Sequence, residues 1–175
     1  MAKYTFEDFL ACVDDEYEAF VTTVHKMLKD DYRVIIRQTK SGLSVSYSQP
    51  KWVRILCFSL RGNALAVHIN IEYHANYMDV LNRLPEEMLL KLDKAADCRK
   101  LLGTVCGLDK LTGFACGWDN CEPGYDFHIG WKRYQKCRFH CLKTNVTAEN
   151  IPILLELVTR EAAERRDAIY RVRGV

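Results

Sequence analysis

Six of the eight cysteines lie between Cys98 and Cys141, and thiolates at close spacing are the groups best suited to chemistry here. Cys116 and Cys121 form a C-x4-C pair, Cys137 and Cys141 a C-x3-C pair, and fifteen residues separate the two. That spacing approaches a zinc ribbon, in which four thiolates hold Zn²⁺ tetrahedrally at about 2.3 Å. Strand geometry argues against the literal pairing. If 134–145 is a strand, Cys137 and Cys141 stand roughly 13 Å apart along it. Ligands of one zinc need α-carbons within roughly 7 Å, given two short Zn–S bonds. Either the segment bends at 137–141, or only one of the two is a ligand, and Cys137 lies nearer the loop. The expected zinc set is therefore Cys98, Cys116, Cys121 and Cys137, with Cys106 a substitute for any of the first three. Glycines at 103, 107, 113, 117 and 124 let the loop converge. The competing reading is a set of reduced thiols packed as small hydrophobes. Redox chemistry stands third, since no C-x-x-C is present.

A second constellation is polar. His68, Asn70 and Glu72 alternate with the apolar residues of one strand-like run, as do Asp126 and His128 in a later one. Joined on one sheet face, His68, Glu72 and His128 would form a weak ligand-binding or acid–base site. The ordinary alternative is the wet face of a half-buried sheet. No Gly-rich phosphate loop, G-x-S-x-G, H-E-x-x-H or dinucleotide fingerprint occurs.

The elements that must position these residues follow from hydrophobic period. From Phe6 to Leu28 apolar residues recur every three or four positions, which predicts one long helix over 5–29. Thr5 and Asp8 have the spacing of a capping box. From Arg33 to Tyr73 the period falls to two. Leu43, Val45 and Tyr47 alternate with serines, and Ser41-Gly42 and Arg61-Gly62-Asn63 have turn chemistry. Four strands in a meander are expected, with Trp52–Leu60 central. A helical stretch over 75–96 breaks near Pro85, which suits the first turn of a second short helix. Residues 125–131 and 134–145 predict a further strand pair in the same sheet. A last helix, capped by Asn150 or Thr147, carries Ile151, Leu154, Leu155, Val158 and Ala162 on one side, with Arg160, Arg165, Arg166, Arg171 and Arg173 on the exposed side and tail. The order α-β4-αα-loop-β2-α predicts an α+β fold, helices packed on a mainly antiparallel sheet. One domain over 1–175 is expected, with 98–124 a Cys/Gly-rich loop inside it.

Gly124-Tyr125-Asp126-Phe127-His128-Ile129, followed by Tyr134-Gln135-Lys136-Cys137-Arg138, resembles a motif of an uncharacterised family of small bacterial proteins. Members of that family carry a Cys-Arg/Lys-Lys/Arg-Leu element, here Cys98-Arg99-Lys100-Leu101, and a paired-Cys segment, here Cys116 to Cys121. The resemblance spans residues 40 to 160 or so, leaves Cys106 and Cys141 outside the pattern, and implies no reaction. The meander is similar, more loosely, to a bacterial family of antiparallel-sheet proteins of unknown function.

Composition narrows the class. At 49% hydrophobic and 27% charged, the 175 residues match a globular chain. A net charge of +2 gives no global field towards nucleic acid, so that partner is disfavoured. No apolar run approaches the roughly 18 residues of a membrane span. The opening residues lack the apolar segment of a signal peptide, which predicts a cytosolic protein with reduced thiols. The reading that results is a non-enzymatic module binding a small molecule or protein, its loop clamped by zinc or by packing. An enzyme using the His/Glu face is the rival, and a nucleic-acid-associated regulator the third.

Overall fold

The computed structural model describes residues 4–49, 54–62, 64–103 and 123–173, with side chains through residue 168. Helix α1 (Phe6–Leu10) opens with the expected capping box. The Thr5 hydroxyl accepts from the Asp8 N–H (3.2 Å), and the Asp8 carboxylate accepts from the Thr5 N–H (2.7 Å). The single helix expected over 5–29 is two. The Cys12 and Val13 amides turn back to Phe9 and Leu10. Asp14 then caps a new helix, α2 (Asp15–Leu28). Carboxylates at 14–16 suit a helix N-terminus better than an interior, and the apolar period passes over the break without a gap.

The four-stranded meander is as expected: β1 (Arg33–Thr39), β2 (Gly42–Ser48), β3 (Arg54–Arg61) and β4 (Ala64–Ile69), all antiparallel. Trp52 and Val53, expected in the third strand, lie outside the described residues. Gly62 starts the β3–β4 turn at φ +60, a left-handed conformation that costs a glycine nothing. A bulge between Tyr47 and Ser48 leaves Ile55 as an extra residue in β3. Period two then sorts the side chains. Val45, Tyr47, Leu56, Phe58, Val67 and Ile69 face the helices and share one core with Phe9, Phe20, Val24, Leu154 and Val158. Phe20 stands edge-on to Phe58 at 5.7 Å, a favoured aromatic geometry.

After β4 come a 3₁₀ turn (His74–Tyr77), α3 (Met78–Leu81) and α4 (Glu86–Lys94). Pro85 stands at the N-cap of α4, one place before the first turn expected for it. Strands β5 (Tyr125–Ile129) and β6 (Lys132–Lys136) form a hairpin about Gly130 and Trp131. This hairpin is a two-stranded sheet of its own, which corrects the expectation of one sheet. Only β7 (Lys143–Asn145) joins the larger sheet, in the order β1-β2-β3-β4-β7. The reason lies in 134–145, which is not one strand. The amides of His140 and Cys141 both return to the Cys137 carbonyl (3.0 and 2.9 Å), a helical turn that sends the chain from one sheet to the other.

Helix α5 (Ile151–Arg173) follows Asn150, whose side chain accepts from the Thr147 N–H (3.0 Å) and donates to the Asn145 carbonyl (2.9 Å). The arginine row expected on its exposed side is exposed at Arg160 and Arg166 only in part of its length, because Arg165 is buried. The side chains of Arg171 and Arg173 lie outside the description. The fold is α+β: a five-stranded antiparallel sheet with helices on one face, and a separate hairpin. Among the described residues no helix is long and apolar enough to cross a membrane.

Candidate functional site

The cysteine corner is built by backbone pairing. Cys98 N–H donates to the Gln135 carbonyl (2.7 Å) and Cys137 N–H to the Ala96 carbonyl (2.9 Å), bracketing a bridge between Asp97 and Lys136. Alternation puts Asp97 and Lys136 on one side of this strip and Cys98 and Cys137 on the other. The two buried cysteines are diagonal neighbours, with α-carbons on the order of 7 Å apart, a separation one zinc can bridge. The Cys98 sulfur accepts the Gly124 N–H at 3.2 Å, the kind of second contact that stabilises a metal-bound thiolate. Gly124 is required there. A Cβ at that position would fall 2.1 Å from the Lys136 carbonyl oxygen and 2.8 Å from the Cys98 Cβ.

Cys116 and Cys121, and their substitute Cys106, lie outside the described residues. Among the described residues no group of three or more His, Cys, Asp or Glu side chains is placed to hold a metal. The straight-strand argument that set Cys141 aside fails, because the 137–141 turn brings its α-carbon to about 6 Å from that of Cys137. A different feature separates the two. Cys141 is part of the apolar core, and burial pushes its thiol up to about 12, whereas Cys137 is not in that core.

On the other side of the strip, Lys136 is buried. Its ammonium donates to the carbonyls of Ala95 (2.8 Å) and Asp93 (3.1 Å) and to the Asp97 carboxylate (2.7 Å). A cation thus terminates α4 and completes its free carbonyls.

The polar residues do not meet as expected. His68 is 7% exposed, not on a wet surface. Its Nδ1 faces an Arg54 Nη at 2.8 Å, so Nδ1 is the acceptor and the ring is neutral. Burial, then the cations Arg54 and Lys143, push its pKa down to about 3. His68 shares its row with Ser46 and Cys57, and the Arg54 side chain lies against its ring. Asn70 is buried too, donating to the Arg54 carbonyl (2.7 Å). Glu72 lies past the end of β4 and accepts from the Tyr125 hydroxyl (3.0 Å) and the Arg138 guanidinium (3.2 Å). His128 is exposed on the hairpin, where it lines a shallow groove with His74, Met78, Asn82, Asp126 and Gly130. The structure brings Glu72 to β5 through Tyr125, and places neither His68 nor Glu72 in that groove.

A buried carboxylate escaped the sequence reading. Glu161 accepts from the backbone N–H of Glu72 (3.1 Å) and Tyr73 (3.2 Å), from the Tyr77 hydroxyl (2.5 Å) and from Arg165 Nε (2.6 Å). Burial, then the neighbouring carboxylates Glu161 and Glu72, raise the hydroxyls of Tyr77 and Tyr125 far above the ordinary tyrosine range, so both remain donors. The signal was available: Glu161 and Arg165 continue the 154, 158 stripe of α5 at spacings of three and four.

Chemically, these groups are tied down rather than presented. No protein-family model matches the chain, and no curated protein or solved structure matches it either.

Proposed function

We propose that the chain is a non-enzymatic binding module whose Cys-rich loop is clamped beside the sheet by zinc, held by Cys98 and Cys137 together with Cys116 and Cys121. The observation that carries the non-enzymatic reading is where its ionisable side chains are spent. His68 is neutral and tied to Arg54, Glu72 is closed by Tyr125 and Arg138, and Glu161 has four donors. A general acid or base must reach a substrate proton within hydrogen-bond distance, and these groups face one another. The rival enzyme needs His68, Glu72 and His128 around one cavity. The clamp is supported by the Cys98–Cys137 corner and the N–H donated to the Cys98 sulfur. Free thiols at all five described cysteines fit the cytosolic, reducing setting expected from the sequence.

Zinc analysis of protein purified under reductant and without chelator tests the clamp. Close to one zinc per chain is expected. Cys98→Ser and Cys137→Ser lower that content and speed hydrogen exchange in 98–103, whereas Cys141→Ser leaves both unchanged. Structural zinc supplies on the order of 10 kcal/mol, so a chelator unfolds the loop while the β1–β4 meander keeps its protection. Zinc near zero, with unchanged loop protection on chelation, leaves packed thiols in place of the clamp.

A further inference from the structure

The five-stranded sheet has two edges, and they differ. β7 at one edge is three residues long, and α4 lies against it, Lys91 donating to the Thr144 hydroxyl (3.0 Å). β1 at the other is seven residues long, pairs with β2 in unbroken register, and has no second strand neighbour among the described residues. Natural edges are blunted by proline, lysine, bulges or a short strand. The run Arg-Val-Ile-Ile-Arg-Gln-Thr of β1 has none of these.

The unpaired main-chain groups belong to every second residue of β1. The Arg37 carbonyl accepts from the Ser44 hydroxyl (3.3 Å), which places it on the β2 side. In an antiparallel pair, residues bonded to the partner strand alternate with residues whose N–H and C=O point away from it. Val34, Ile36 and Gln38 therefore turn their amides and carbonyls to the open edge, where among the described residues nothing bonds them. The side chains add a second pattern. Arg33, Ile35 and Arg37 lie on the outer face and Val34 and Ile36 on the core face, and all three apolar residues are left half-buried. β1, its turn and β2 contain no Asp or Glu, and Arg37 and Lys40 are exposed without a carboxylate partner among the described residues.

We propose that β1 takes up, as an antiparallel sixth strand, an extended protein segment of the pattern acid–apolar–any–apolar–acid. Main-chain bonds to Val34, Ile36 and Gln38 hold the segment, and its alternating side chains select it. Residues four apart on a strand are about 13 Å apart and face the same way. The two acids therefore meet Arg37 and Arg33 on the outer face. The apolar pair meets Ile36 and Val34 and completes their burial. Opposite charges and apolar pairs set directly across two strands both favour this register. A second copy of the chain is the other natural occupant. In the register that sets the three apolar residues against one another, it puts Arg33 opposite Arg37 at both ends, and like charges so placed oppose pairing. The inference rests on the binding-module reading and names its partner, and it is independent of the zinc.

Fluorescence anisotropy with the labelled peptide Ser-Glu-Val-Thr-Val-Glu-Ser tests it on the full chain under reductant. Saturable binding is expected, with amide exchange slowed at least about 10-fold at Val34, Ile36 and Gln38. The same peptide N-methylated at both valines keeps every side chain and loses two main-chain donors. It is expected to bind at least about 30-fold more weakly. Arg37→Glu is expected to weaken the glutamate peptide about 10-fold or more and to favour a peptide with lysines in those places. Lys26→Glu on α2, an exposed charge away from the edge, leaves binding unchanged. Circular dichroism checks that the Arg37 variant folds, and the N-methylated peptide tests the wild-type chain in any case. No saturable binding at about 1 mM peptide overturns the proposal, as does equal binding of the N-methylated form. A wild-type dimer in sedimentation that Gln38→Pro makes monomeric gives the edge to a second copy and also overturns it. Protein that carries its zinc yet ignores the peptide loses this partner and keeps the clamp.

Discussion

His68 shows how far one side chain can stand from its sequence pattern. It alternates outward in β4, yet it is buried with Arg54 against Nδ1. Its folded pKa, about 3, lies below the ordinary 6.5. Between those values the unfolded chain binds a proton that the folded chain refuses. The stability from neutral His68 is therefore complete above pH 6.5 and is lost as pH falls towards 3, at up to about 1.4 kcal/mol per unit. Urea unfolding at pH 7, 6 and 5 should show stability falling with acid, and His68→Gln should remove up to that slope. His68→Gln at pH 7 is expected to cost about 1–3 kcal/mol, since the Arg54 hydrogen bond is disturbed in a buried place. On the wet sheet face that the alternation suggests, the same substitution would stay within about 0.5 kcal/mol. An equal slope in wild type and variant would place the titration elsewhere, for example at His25 or His140, whose pKa values burial also lowers.

Among the elements, α4 depends most on a residue far from it in sequence. Its last carbonyls are completed by Lys136 of β6, and the same strip fixes Cys98 beside Cys137. Lys136→Met keeps much of the apolar stem and removes the ammonium, leaving two carbonyls and Asp97 without their donor. A loss of about 2–3 kcal/mol is expected. Faster hydrogen exchange should be confined to 91–98 and β6. Exchange that rises evenly through β1–β4 would instead mean that Lys136 supports the whole core. Pairing of β6 with 96–98 also explains why the hairpin is not part of the larger sheet: the backbone groups of Gln135 and Cys137 are already bonded.

Across the whole molecule, Glu161 joins the last helix to the turn after β4, and through Glu72 to the hairpin. Glu161→Gln would leave Arg165, 2% exposed, as a charge without its counter-ion. Breaking one side of a buried pair typically costs about 3–5 kcal/mol. Chemical denaturation should show that loss, and Glu161→Leu with Arg165→Met should recover part of it, because both charges are then gone. A loss below about 1 kcal/mol for Glu161→Gln would show that solvent reaches the pair.

The sequence by itself determined the local elements. Period two gave the β1–β4 meander, glycine chemistry gave its turns, and Thr5 with Asp8 gave the first cap, because each depends on residues within a few positions. It also named Cys98 and Cys137 in one cysteine set, but the straight strand used to prefer Cys137 over Cys141 is a turn in the structure. What it could not determine was how distant segments share a surface. The break at Asp14 was invisible because the apolar stripe crosses it. The split of 125–145 between two sheets depends on a turn at Cys137 and on an outside partner, Ala96–Cys98, for β6. Arg165 read as part of a solvated helix face, and Glu161 was passed over, until Tyr77 and the 72–73 amides were placed against them. Burial of a charged or titratable side chain depends on the donors that surround it, and those come from segments up to 89 residues away. Local pattern carries hydrophobic period; only the tertiary structure decides which polar groups meet.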